Sequence, residues 1–140
     1  MPDLSFDPGY RGGVAIWDDP VRVIPMPTMQ VGTKRVYDLE AIVALIKAAK
    51  PKRVVIEQVT RPGVLIGNMN FIHGVALACG ANVTRIRPQE WRKMVGLKDG
   101  EKKDASIMKC LELYPHLATS ITAKSHDGMA EAALIGRVVL

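Results

Sequence analysis

Four carboxylates stand where the hydrophobic pattern does not ask for acids. Asp7 closes a short apolar run. Glu57 interrupts the β-branched run Arg53-Val54-Val55-Ile56-Glu57-Gln58-Val59. Asp127 and Glu131 lie four residues apart in a segment of helical pattern, so they share one face. An ionised carboxylate among core side chains is costly unless it is paired or bound to a metal. Several that converge without a neighbouring base repel one another, and a hard divalent cation with oxygen ligands relieves that repulsion. Each acid also has a plainer reading. Asp7 before Pro8-Gly9 is a turn acid, Glu57 a salt-bridge partner or an edge-strand residue, Asp127 a first-turn helix acid, and Glu131 a solvated helix residue. Together they weigh more, because a sheet that pairs its first strand with its fourth would bring them to one place.

The elements that must do this can be read along the chain. Residues 4–7 read as a first strand stopped by Pro8-Gly9. Residues 14–17 and 21–25 read as two strands of a hairpin around Asp18-Asp19-Pro20. Residues 26–37 show no period and read as a loop. Asp38 is an N-cap for a helix carrying Leu39, Ile42, Val43 and Ile46 at helical spacing, ended by Pro51. Residues 53–59 read as a buried strand. Residues 66–79 read as a helix, hydrophobic nearly all round and stopped at Gly80. Residues 82–87 give a fifth strand ending at Pro88. The stretch 88–104 is polar, basic and turn-rich, 104–114 is helical, and 115–125 is a loop. Ser125 is placed to cap a last helix. The expectation is one α/β domain over residues 1–140, with a mixed five-stranded sheet (three antiparallel strands, then two parallel) flanked by helices.

Lysine and arginine number 19 against 14 acids, a formal charge of +5, which makes a polyanionic partner plausible. The basic residues concentrate in Arg85, Arg87, Arg92, Lys93, Lys98, Lys102, Lys103 and Lys109, either a solvated surface or a set of phosphate contacts. Seven aromatic residues are too few for a dense base-stacking platform. Cys79 and Cys110 sit in apolar surroundings and read as reduced core residues. No Cys or His spacing suits zinc. No signal-like start, membrane-length apolar run or glycine-rich phosphate loop is visible, so a cytoplasmic protein without membrane contact is expected.

Phe6-Asp7-Pro8-Gly9 followed by Gly13-Val14-Ala15-Ile16 resembles the first-strand motif of RuvC-type Holliday-junction resolvases. Val55-Ile56-Glu57-Gln58-Val59 resembles their fourth-strand motif. The run from Ser125 to Leu134 is similar to their C-terminal helix motif, above all in the small phage and mitochondrial-like members. The three motifs occur in order over nearly the whole chain. The resemblance implies an RNase H-like fold and a metal-dependent endonuclease cutting four-way DNA junctions by phosphodiester hydrolysis, leaving 5′-phosphate and 3′-hydroxyl ends. It implies Asp7, Glu57, Asp127 and Glu131 as metal-site acids, with two magnesium ions that manganese can replace. Lys103, then Lys102, matches the lysine that approaches the scissile phosphate.

The chain departs from the pattern near its end. Gly128 stands where the family has an aspartate, the acid falls one position earlier at Asp127, and Glu131 replaces an aspartate. Either Asp127 or Glu131 is then open to a supporting role, and His126 to a place beside the metal or the attacking water. His73 and His116 read as structural. Arg61, Asn68 and the neighbouring residues to Phe71 follow the catalytic strand, where the resemblance implies junction or dimer contacts; the apolar ones fit a core equally well. Two like cuts at a four-way junction need two centres on a two-fold axis, hence a homodimer, with residues 66–79 as its seam. The other readings are an RNase H-like nuclease acting on flaps, single strands or RNA, and a non-catalytic branched-DNA-binding module.

Overall fold

A computed structural model describes residues 2–98 and 100–140, with Lys103 described in its backbone alone. The main sheet contains β1 (Asp3–Asp7), β2 (Gly13–Trp17), β3 (Arg22–Pro25), β6 (Arg53–Glu57) and β7 (Asn82–Ile86), in the order β3-β2-β1-β6-β7. β1 pairs antiparallel with β2, and β2 with β3, while β1–β6 and β6–β7 are parallel. This is the mixed sheet the sequence predicts. Its first and fourth predicted strands are neighbours, with Phe6 opposite Ile56, so Asp7 and Glu57 emerge side by side at one edge.

Alternation along the strands sends successive side chains to opposite faces. Leu4, Phe6, Val54 and Ile56 pack with Ile42 and Ile46 of α1 (Leu39–Ala49) and with Met69 and Ile72 of α2 (Gly63–Ala78). Ala15 and Val55 on the other face pack with Trp91 of α3 (Pro88–Met94), Cys110 of α4 (Lys103–Leu113) and the run Met129–Ile135 of α5 (Asp127–Val139). Asp38 caps α1 as predicted, accepting from the Ala41 N–H at 3.1 Å.

Several expectations are corrected. Residues 26–37 are not a loop but contain a hairpin of β4 (Thr28–Val31) and β5 (Lys34–Tyr37), turning at Gly32 with φ of 60°. Its strands are mostly exposed, so no buried face imposed an alternation to read. The turn-rich stretch contains α3, a seven-residue helix with proline in its first turn. The loop at 115–125 contains a 3-10 turn at Pro115–Thr119, and a second turn spans Lys124–His126. Ser125 lies in that second turn and does not cap α5, whose cap position is His126 without a side-chain bond. Both cysteines are free, Cys110 buried but Cys79 only half-buried. Helix α2 begins three residues earlier than predicted and is not buried all round. Met69, Ile72 and Ala76 face the core, while Val64 and Leu77 are 52% and 55% exposed.

Candidate active site

Strands β1, β6 and β7 run parallel and end at the same edge, and α5 crosses beneath it. Asp7 and Glu57 are the last residues of their strands. Glu131 projects from the second turn of α5 and is 9% exposed, so it is a buried residue and not a solvated one. The helix reaches this place because small residues face the sheet. Gly12 and Gly128 form a parallel bridge, and Ser5 Oγ donates to the Ala132 carbonyl at 2.6 Å.

The three acids act on one another. Burial pushes the Asp7 carboxyl well above the usual range, reinforced by the negative charges of Glu57 and Glu131, and Asp7 in its protonated form donates to Glu131. Burial likewise raises Glu57 to about 7, with the Glu131 charge adding to the rise, while the Trp91 indole and the Arg92 charge oppose it. Glu131 is raised by burial and by nearby Asp127, against the bonds from Asp7, Arg92 and Ser106. Asp127 is therefore felt by Glu131 from the start of the same helix.

Neutral and cationic donors hold these carboxylates. Trp91 Nε1 donates to Glu57 Oε2 at 2.7 Å, Arg92 Nη2 to Glu131 Oε1 at 2.8 Å, and Ser106 Oγ to the same oxygen at 3.3 Å. Adjacent residues of the short α3 thus hold two of the three acids. The roles of Trp91 and Ser106 were missed in the sequence. A signal for Trp91 existed: a lone tryptophan inside a basic helix has an indole N–H that needs a partner once buried.

Among the described residues, no three His, Cys, Asp or Glu side chains are arranged as a ready set of metal ligands. In donor chemistry the acids fit a hard divalent cation: they are all oxygen donors, Glu131 is buried and Asp7 and Glu57 half-buried, and each is pushed upward in part by another's negative charge. His126 is bonded to the turn that precedes it. Its Nδ1 accepts from the Thr122 N–H at 3.0 Å, and its ring lines a separate cleft.

The candidate DNA contacts divide. Arg61 and Arg87 line one cleft beyond Glu57, with Gln58 and Gln89, and Arg87 also pairs with Glu90 at 2.8 Å. Lys93, Lys98 and Lys102 are exposed. Arg92 lies at the acids, its guanidinium on Glu131 and 5.1 Å from the Trp91 ring centre. Arg85 is turned to α2, donating to His73 Nδ1 and Asn70 Oδ1. Asn68 is half-buried on α2, and its Nδ2 has no hydrogen-bond partner among the described residues. Lys103 begins α4, and its side chain lies outside the described part of the structure. His116, read as structural, bonds through Nε2 to the Val21 carbonyl at 2.8 Å.

No protein-family model matches the chain, and no curated protein sequence matches it. Solved structures do. The fowlpox virus Holliday junction resolvase superposes with a TM-score of 0.60 at 17% identity, covering 99% of this chain and 96% of that one. The same viral resolvase with its substrate junction DNA gives 0.57 at 15%, with both chains fully covered. Thermus thermophilus RuvC gives 0.55 at 13%, covering 99% and 96%. The chain has the RNase H-like fold of the RuvC-type resolvases.

Proposed function

We propose that the chain is a metal-dependent endonuclease that cuts four-way DNA junctions by phosphodiester hydrolysis, leaving 5′-phosphate and 3′-hydroxyl ends. The observation that carries this reading is the meeting of Asp7, Glu57 and Glu131 at the strand-end edge, each pushed upward by burial and by another acid. The junction resolvases that share the fold support a four-way junction as the substrate class.

In this reading Asp7, Glu57 and Glu131, with Asp127 beside them, hold magnesium or manganese. When bound, the metal activates the attacking water and neutralises charge developing on the phosphate and leaving oxygen. The chain's own groups prepare for this. Trp91 fixes the Glu57 carboxylate through its indole N–H. Arg92 and Ser106 hold Glu131, and Arg92 brings a positive charge within reach of a phosphate at the same edge. Lys102 and Lys103, at the start of α4, supply point charges on flexible stems for the phosphate. Paired cuts require two centres, so the protein acts as a homodimer, with the exposed side of α2 around Val64 and Leu77 as its seam. It works in a cytoplasm holding recombining DNA, bacterial or phage-infected. Among the described residues no helix is long and apolar enough to cross a membrane.

The test is incubation with a synthetic four-way junction, a flap, a linear duplex and an RNA–DNA hybrid, with magnesium or EDTA. Paired symmetric nicks near the branch point, only with metal, are expected. Equal cutting of every substrate would remove junction selectivity, and binding without cutting would favour a non-catalytic module. Glu57→Gln should bind junctions while cutting on the order of a thousand-fold more slowly, since a metal supplies several kcal/mol of transition-state stabilisation. Cutting at the normal rate would sink the metal-site assignment.

A further inference from the structure

A second cleft of about 530 Å³ opens on the other side of the acids from Arg61 and Arg87. Tyr10 and Arg11 of the β1–β2 turn, Thr28 and Arg35 of the β4–β5 hairpin, and Ser125 and His126 before α5 contribute to its walls. Among the described residues no carboxylate lines it. Arg35 Nη1 is held by Thr28 Oγ1 at 2.8 Å, which steadies the guanidinium and leaves its other N–H groups unclaimed by that bond. His126 Nδ1 accepts a backbone N–H, so the neutral ring carries its proton on Nε2 as a further donor.

The pairing of the arginines separates this cleft from an ordinary solvated surface. Arg22, Arg53, Arg87 and Arg92 each pair with a carboxylate, while Arg85 and Arg137 bond to neutral side chains. Among the described residues Arg11, Arg35 and Arg61 have no ion-pair partner and all three are exposed, so the unpaired arginines fall in this cleft and in the one beyond Glu57. The sheet order fixes where these cations lie. β3, β1, β6 and β7 all end at the same edge, where β2 begins. Along that edge come Pro25 and Met26 of the second cleft, then Gly12, Asp7, Glu57, and finally the Arg61–Arg87 cleft. Five strands at about 4.8 Å spacing span roughly 20 Å. That matches the rise of about six base pairs at 3.4 Å each.

We propose that the Arg11–Arg35–His126 cleft holds the phosphodiester backbone of the DNA on the far side of the cut, so that the strand is gripped both before and after the acids. This rests on the nuclease reading and adds the path of the substrate across it. The hairpin, which the sequence did not disclose, is the element that supplies Arg35.

The experiment is binding of a fluorescent four-way junction in EDTA over a series of salt concentrations, so that no cutting intervenes. The Arg11→Gln/Arg35→Gln double variant is compared with wild type and with Arg22→Gln, which removes one cation at the opposite end of β3. Each phosphate contact contributes about 0.9 to the slope of log affinity against log salt, so the double variant should lower the slope by about 1.8. Arg22→Gln should leave it unchanged. An Arg11→Lys/Arg35→Lys variant should restore most of the slope, which guards against a folding defect. A slope equal to wild type in the double variant, or lowered equally by Arg22→Gln, would overturn the inference while leaving the nuclease reading intact. Wild-type protein that binds no DNA would overturn both.

Discussion

Helix α2 is the more hydrophobic segment and α5 the less, yet α5 is the one that is buried. α2 is rich in Val, Leu, Ile and Phe and buries only Met69, Ile72 and Ala76. α5 buries every residue from Gly128 to Gly136, including one glutamate. The difference is side-chain size at the contact. A Cβ added to Gly128 would lie 2.2 Å from the Arg11 carbonyl oxygen, and one on Gly136 would lie 2.3 Å from Trp17 Nε1 and 2.5 Å from Ser5 Oγ. Small residues let the α5 backbone lie against the sheet, so even its polar positions are covered. Large residues on α2 hold it off as a ridge with one inner stripe. Mean hydropathy ranks the two helices wrongly, because burial follows how closely backbones approach.

The strongest way to break this contrast is Gly128→Ala. The clash is with backbone, which cannot rotate away, so a loss of about 3 kcal/mol or more in chemical denaturation is expected. The Gly12 bridge and the placing of Glu131 should go with it. Near-native stability would mean that the helix can lift without cost.

Glu131→Gln sharpens the contrast by keeping the packing and removing the charge. Cleavage should fall on the order of a thousand-fold, while the metal-free fold is kept or improved. The sign follows from the raised carboxyls. A folded pKa above the unfolded value means that the native state binds more protons, so stability is lost as pH rises from the ordinary carboxylate range through the folded values, about 7 for Glu57. Metal-free wild type should therefore melt at progressively lower temperature from pH 5 to pH 8. Magnesium should reverse this, and the variant should show a shallower fall. A melting temperature that rises over that interval would contradict the site's electrostatics.

Gly136→Ala should cost less than Gly128→Ala, about 1–3 kcal/mol, because the atoms it meets belong to side chains. Trp91→Phe removes the indole bond that opposes the rise of Glu57. It should move the acidic limb of the cleavage profile to higher pH and weaken magnesium by about 10–100-fold. An unmoved limb would reduce Trp91 to core packing. The smallest effect is expected on α2. Leu77→Gln should change monomer stability by no more than about 0.5 kcal/mol, while weakening self-association measured by sedimentation.

The sheet order, the strand-borne acids and the Asp38 cap were legible because each rests on short-range pattern: β-branched runs, a misplaced acid, a capping residue before a periodic helix. The β4–β5 hairpin was not, since Met29 and Val31 point outward and Arg35 and Lys34 read as loop polarity. Glu131 was identified as a site acid, but its burial was not legible. That follows from Gly128 and Gly136 meeting backbone and side chains far away in sequence. The Trp91–Glu57 bond spans 34 positions, and no local spacing encodes it.

The bond from Ser5 to Ala132 joins residues 127 positions apart. The strand is made well before the helix it waits for. Until α5 has left the ribosome, Asp7 and Glu57 stand without Glu131, and Ala15 and Val55 lack the part of their cover that runs from Met129 to Ile135. A nascent chain therefore has neither a finished core nor the cluster of three acids. The acid cluster is completed only once the helix that carries Glu131 has been translated.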